Sequence, residues 1–128
     1  MDGLFGIFGD LSGFLEAKAR AEKETNKRFS PAEAYNNAGD AYRHIVWQAL
    51  LANKFGEGTA KAAGDFHENR FVPIVGAMGH PQAEIDMDLK NNEIGRYIGK
   101  DATGVQQILD RAKLINDYNL YQKYKKTR

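Results

Sequence analysis

Three short clusters in this 128-residue chain carry the side-chain types that hydrolytic chemistry uses. Asp40, Arg43 and His44 come first, with Trp47 one turn further on; His67, Glu68 and Asn69 follow; Asp86, Asp88, Asn91 and Asn92 come last. Carboxylates and imidazoles that converge from separate helices are one way of building a hydrolytic metal centre. His44 with Asp40 is an i, i+4 pair, His67 with Glu68 an adjacent pair, and Asp88 or Asp86 a further carboxylate, so His44, His67, Glu68 and Asp88 are the candidate metal ligands. The chain has no cysteine, which excludes disulfides, thiolate catalysis and sulfur-bound zinc. Oxygen and imidazole donors suit a divalent metal, zinc, manganese, magnesium or calcium by different ligand counts, and two histidines favour the transition metals. The same residues support a metal-free arrangement, with either histidine as a general base held in one tautomer by a carboxylate, and Arg43 and Asn92 stabilising a developing oxyanion.

Each residue also has a purely structural reading. Asp40 would cap a helix N-terminus, His44 would be a satisfied core histidine, and Asn91 and Asn92 would close helix ends; structural ion-pair networks gather such groups too. What favours a site is the patterning. On a period of about 3.6 residues, Asp40, His44, Trp47 and Leu51 fall on one stripe with Arg43 at its edge, while Tyr42, Ile45, Val46, Ala49 and Leu50 form a separate apolar face. The polar stripe therefore borders the core, where an unpaired polar group costs roughly 2 to 7 kcal/mol. Three clusters so placed come together if their helices fold into a bundle.

The elements that must position these residues read as helices. The spacing predicts a charged first helix over residues 10–28, with Leu11, Phe14, Leu15 and Lys18 on one side. Ser30-Pro31-Ala32-Glu33 has the form of a capping box with proline at the first helical position and predicts a second, short helix. The helix bearing the first cluster begins near Ala38, and Gly56 is placed to stop it. Thr59 is a candidate cap for a helix to Phe71 on which Ala60, Ala63, His67 and Phe71 share a face. Residues 72–82 are punctuated by glycine and proline and read as a loop long enough to be functional. A helix over 83–99 has Met87, Ile94 and Ile98 on one side and Asp88, Asn92, Gly95 and Gly99 on another, and a last helix spans 103–124. No alternating β-branched run is long enough for a sheet, so the expected fold is all-α, a bundle of five to six helices with at most a small hairpin near residues 71–80.

The length allows one domain, 1–128, made of an arm and first helix (1–29), a motif-bearing core (37–99) and a C-terminal helix with a basic tail (100–128). No apolar run approaches the roughly 20 residues of a membrane span, so stable membrane insertion is not expected. The formal charge of +1 makes no global case for nucleic acid, but residues 110–128 hold six cations against two acids. There Tyr118, Tyr121 and Tyr124 interleave with Lys123, Lys125 and Lys126, a mixture that suits nucleic-acid backbones and anionic lipid surfaces equally, or a frayed helix end whose cations complement the dipole. The N-terminal Gly-Leu-Phe-Gly-Ile-Phe-Gly stretch does not read as a signal peptide; it reads as a docking arm or a fragment of a longer chain covering the core, with an interfacial segment as the alternative.

The order His, His-Glu, Asp is similar to the His, His-Asp, Asp order of helical HD-type phosphohydrolases. The set GDAYRHIVWQALLANKFG, DFHEN and MDLKNNEIGRYIG, over residues 37–99, resembles a domain of unknown function that recurs at the C-termini of bacterial polymorphic toxins and in phage and mobile-element proteins. That resemblance implies an antibacterial effector, delivered as part of a larger secreted toxin to the target cell's cytoplasm or envelope, and neutralised by a cognate immunity protein. It carries over Asp40, Arg43, His44, Trp47, His67, Glu68, Asp88, Asn91 and Asn92, with Trp47 and Gly95 better read as packing residues. Lys90 stands where that family often has an aromatic residue or histidine, and if that position bears on substrate this member differs in what it binds. The expected activity is hydrolysis of a phosphodiester or other phosphate-containing substrate, with Lys90, Lys123, Lys125 and Lys126 as substrate contacts. The alternatives are a phospholipase-like or cell-wall-precursor hydrolase, and a non-enzymatic phage or interaction module whose polar faces satisfy one another.

Overall fold

The computed structural model of the chain describes residues 11–34, 37–67 and 82–126. The N-terminal arm, Glu68, Asn69, Phe71, the glycine- and proline-rich segment with its expected hairpin, and Arg128 lie outside the described residues. Those described form an all-α bundle of five helices: α1 (Leu11–Arg28), α2 (Asn37–Phe55), α3 (Glu57–Phe66), α4 (Gln82–Gly99) and α5 (Val105–Lys126). No helix among them is long and apolar enough to cross a membrane.

The capping-box sequence makes a turn over residues 31–34, not a helix. Ser30 Oγ donates to Glu33 Oε1 at 2.8 Å, while the amides of Glu33 and Ala34 both donate to the Ser30 carbonyl. The two side chains thus satisfy each other instead of the exposed amides that a growing helix presents. At the other end of α2, Gly56 takes φ +95°, open to glycine without a Cβ clash, and so both ends α2 and starts α3 at Glu57, before the Thr59 cap is reached.

α2 is the central helix and packs against each of the other four. Its Tyr42, Ile45, Val46 and Ala49 join Ala21, Ile98, Ile108 and Ala112 in one core cluster; Leu51 and Ala52 join Ala17 and Ala60 in a second. Burying each large aliphatic side chain here contributes about 1.5 to 3 kcal/mol. α1 turns a different face inward from the one its leucines imply: Ala17, Ala21 and Thr25 are buried, Leu15 is 60% exposed, and Phe14 stacks on Phe55 with ring centroids 4.7 Å apart. Small side chains let the α1 backbone come close, so the alanine stripe outcompetes the leucine. On α4 likewise Met87 is exposed, and Ile85 and Ile98 are buried.

The register of α2 against α4 decides what the polar clusters can do. Asn53 Nδ2 donates to the Gly99 and Ala102 carbonyls at 2.9 and 2.7 Å, while His44 stands opposite Asn92 and Gln48 opposite Arg96, so the two helices run parallel. Their close approach needs Gly95 and Gly99. A Cβ at Gly95 would stand 2.5 Å from the Ile45 carbonyl oxygen, and one at Gly99 would fall on the Ala49 backbone.

A buried polar residue ties the far side together. Asn116, 2% exposed on α5, accepts from Arg28 Nε at 3.1 Å and donates through Nδ2 to the Ala38 carbonyl at 3.2 Å, joining α1, α2 and α5. Asn116→Ala should therefore lower stability by about 1 to 3 kcal/mol. An unchanged urea midpoint would show that the clamp contributes nothing.

Candidate functional site

α2 and α4 each present a polar row at i, i+4, i+8 spacing: Asp40, His44 and Gln48 on one, Asp88, Asn92 and Arg96 on the other. Because the helices run parallel, the rows meet in register. His44 Nδ1 lies 3.1 Å from Asn92 Oδ1, and its Nε2 lies 3.6 Å from Asp88 Oδ1. Arg96 Nη1 donates to Gln48 Oε1 at 3.0 Å. His44, Gln48, Asp88, Asn92 and Arg96 are all buried, a density of polar groups that core packing alone does not call for.

Asp40, in the first turn of α2, completes the upper end. Ligand atoms of Asp40, His44 and Asp88 all lie within 4.8 Å of one another, close enough to hold a metal ion. With Nδ1 turned to Asn92, Nε2 is the ring nitrogen that faces this point. A ligating histidine whose other nitrogen is anchored to a carbonyl oxygen is the usual arrangement of metal sites. Asp40 is itself held: Arg43 pairs with its carboxylate, and Arg43 Nη1 donates to the Ala34 carbonyl at 3.0 Å, tying the turn before α2 to the site. The Asp40 side chain is 35% exposed, against 6% for Asp88, so the group opens towards solvent on the Asp40 side.

His67 follows the last turn of α3 and stands beside this group. Its ring packs edge-on against His44, centroids 6.3 Å apart, and against Trp47 at 5.7 Å. Trp47 also packs against both core clusters. α3 supplies the back wall through Gly64, where a Cβ would stand 2.9 Å from Asn92 Nδ2 and 3.0 Å from Gln48 Nε2.

Of the expected metal ligands, then, His44 and Asp88 belong to the converging group, Asp40 joins them, His67 is adjacent, and Glu68 lies outside the described residues. Asp86 is exposed and accepts from Gln82 Nε2 at 2.9 Å, which leaves Asp88 as the carboxylate α4 turns inward. Asn91 is buried. Lys90 is exposed on α4 and Lys125 on α5; the side chains of Lys123 and Lys126 are outside the described set. Two buried members of the rows, Gln48 and Arg96, are absent from the sequence expectation. Their signal was the spacing: each lies four residues beyond a residue already singled out, His44 and Asn92.

The fold and the site together define a small all-α domain in which one imidazole and two carboxylates converge at the junction of two parallel helices. The chain belongs to the family described as a domain of unknown function, DUF6973, which matches residues 10–127. No curated protein and no solved structure matches it.

Proposed function

We propose that this domain is a metal-dependent hydrolase of phosphodiester or other phosphate-containing substrates, with Asp40, His44 and Asp88 as the protein ligands of a divalent ion. The observation that carries the reading is the convergence of those three donors within 4.8 Å, with the imidazole anchored from behind by a buried carboxamide. Asp40, His44 and Asp88 would hold the ion, which would supply Lewis-acid chemistry to a bound water and a phosphate oxygen. Asp40 and Asp88 set the charge of the centre, His44 supplies the nitrogen that favours zinc or manganese over magnesium and calcium, and Arg43 holds Asp40 in place. Phosphate chemistry is favoured because charge stabilisation and positioning are most of what such a transfer requires. The cations near the C-terminus suit a polyanionic substrate such as nucleic acid. An antibacterial toxin role, with an immunity protein as partner, rests on the motif resemblance.

A sealed interaction module would satisfy its own polar atoms. The group here instead opens to solvent, the Asp40 side chain being 35% exposed, which favours a working site over a closed network.

The test is a calorimetric titration of the chelator-treated domain with Zn2+ and Mn2+, followed by assays on bis(p-nitrophenyl) phosphate and on purified nucleic acid. One ion per chain should bind, activity should vanish in excess chelator, and a single added ion should restore it. Full activity in chelator would replace the metal with a His44 and Asp88 acid–base pair, and activity on liposomes alone would move the substrate to lipids.

A further inference from the structure

The row behind His44 carries an imbalance. Gln48 and Asn92 are both wholly buried and each has its carbonyl oxygen engaged, Oε1 by Arg96 Nη1 at 3.0 Å and Oδ1 by His44 Nδ1 at 3.1 Å. Their amide nitrogens have no partner among the described residues, and both press on Gly64. Leaving two buried donors unpaired is costly. Turning the Asn92 carboxamide by half a turn exchanges its oxygen and nitrogen with almost no change of shape.

We propose that Arg96, Gln48 and Asn92 form a relay that sets the tautomer of His44. With the Asn92 amide turned, every group pairs in one direction: Arg96 donates to Gln48 Oε1, Gln48 Nε2 donates to Asn92 Oδ1, and Asn92 Nδ2 donates to His44 Nδ1. The single imidazole proton is then on Nε2, facing Asp88, and the lone pair that would bind a cation is occupied. With Asn92 Oδ1 on His44 Nδ1, the proton is on Nδ1 and Nε2 presents its lone pair to the space shared with Asp40 and Asp88, but the two amide nitrogens lose their pairing. The metal-free protein therefore rests in the non-ligating tautomer, and ligation turns the amide against the relay. This deepens the metal reading above and rests on it for its consequence. It makes Gln48 and Arg96 positioning residues that act on the imidazole through Asn92.

Gln48→Glu tests it. A glutamate keeps the shape and the Arg96 contact, but its second oxygen only accepts, so it holds Asn92 Nδ2 and leaves Oδ1 on His44 Nδ1. Long-range 1H–15N spectra of the metal-free proteins should show the proton on Nε2 in the wild type and on Nδ1 in Gln48→Glu. Zn2+ should bind the variant about tenfold or more tightly, the equivalent of one buried amide no longer left unpaired. Asn92→Asp, acceptor-only beside the ring itself, should give the same Nδ1 proton and serves if Gln48→Glu does not fold. A metal-free wild type already protonated on Nδ1, or a tautomer unmoved by either substitution, would overturn the relay. A tautomer that switches as stated while neither protein binds Zn2+ would support the relay and sink the metal reading alone.

Discussion

His44→Ala is expected to weaken Zn2+ binding by about a hundredfold or more, since even second-shell partners of a metal are worth about 10- to 100-fold and His44 would be a direct ligand. The substitution removes the one nitrogen donor of the converging group and leaves Asp40 and Asp88 as two carboxylates whose ligand atoms lie within 4.8 Å of each other. Two readouts separate this from general damage. Saturating Zn2+ should raise the wild-type unfolding temperature, because an ion that binds only the folded state stabilises it by about 2.7 kcal/mol at a hundred times its dissociation constant. That rise should vanish in His44→Ala, whereas unfolding should stay cooperative: the apolar core of Ile45, Val46, Leu51 and Ile108 is untouched. Hydrolysis should fall with the binding. Unaltered Zn2+ affinity in the variant would end the assignment of His44 as a ligand.

Replacing Gly99 has the largest expected effect on the fold. A Cβ at this position falls on the backbone of Ala49, which belongs to the central helix and has no rotamer to change, so α2 and α4 must separate. Overpacking of a tight core typically costs about 1 to 3 kcal/mol, and a backbone-to-backbone contact belongs at the upper end of that range or beyond it. Against a total of about 5 to 15 kcal/mol for a domain, Gly99→Val should leave the protein largely unfolded at moderate urea, with Gly99→Ala less severe. Gly58 and Gly104 provide the control, since a Cβ at either meets nothing within 4 Å. If Gly99→Val and Gly58→Ala had the same urea midpoint, the close approach of the helices would carry no stability. Separation of α2 from α4 should also loosen the site, so Gly99→Ala is expected to lower Zn2+ affinity without touching a ligand.

Much of the helix layout was legible because punctuation and period are local properties. Gly56 ended α2 where expected, and Asp88, Asn92, Gly95 and Gly99 formed the stripe that meets α2. Where local signals compete, the structure departs from the pattern. The leucines of α1 outweighed its alanines on any hydrophobicity count, yet helices that pack closely bury the smaller face, and Leu15 stayed in solvent. Ser30 and Glu33 had the residues of a capping box but paired with each other, a choice between two partners of similar energy that spacing does not decide.

The sequence by itself determined that the polar residues of α2 and α4 would lie on core-facing stripes, because helical periodicity places every fourth residue on nearly the same side whatever the neighbouring helix does. It also determined that any metal chemistry would use oxygen and imidazole donors, because the chain has no thiol. Only the tertiary structure decided which residues meet. The direction and register of α4 along α2 depend on where two backbones can touch, at Gly95 and Gly99 against Ile45 and Ala49, and on nothing encoded in either helix alone. That register sets His44 between Asp88 and Asn92, brings Asp40 into the group, and aligns Gln48 with Arg96 behind it. A shift of one turn would have left the same residues on the same faces with different partners.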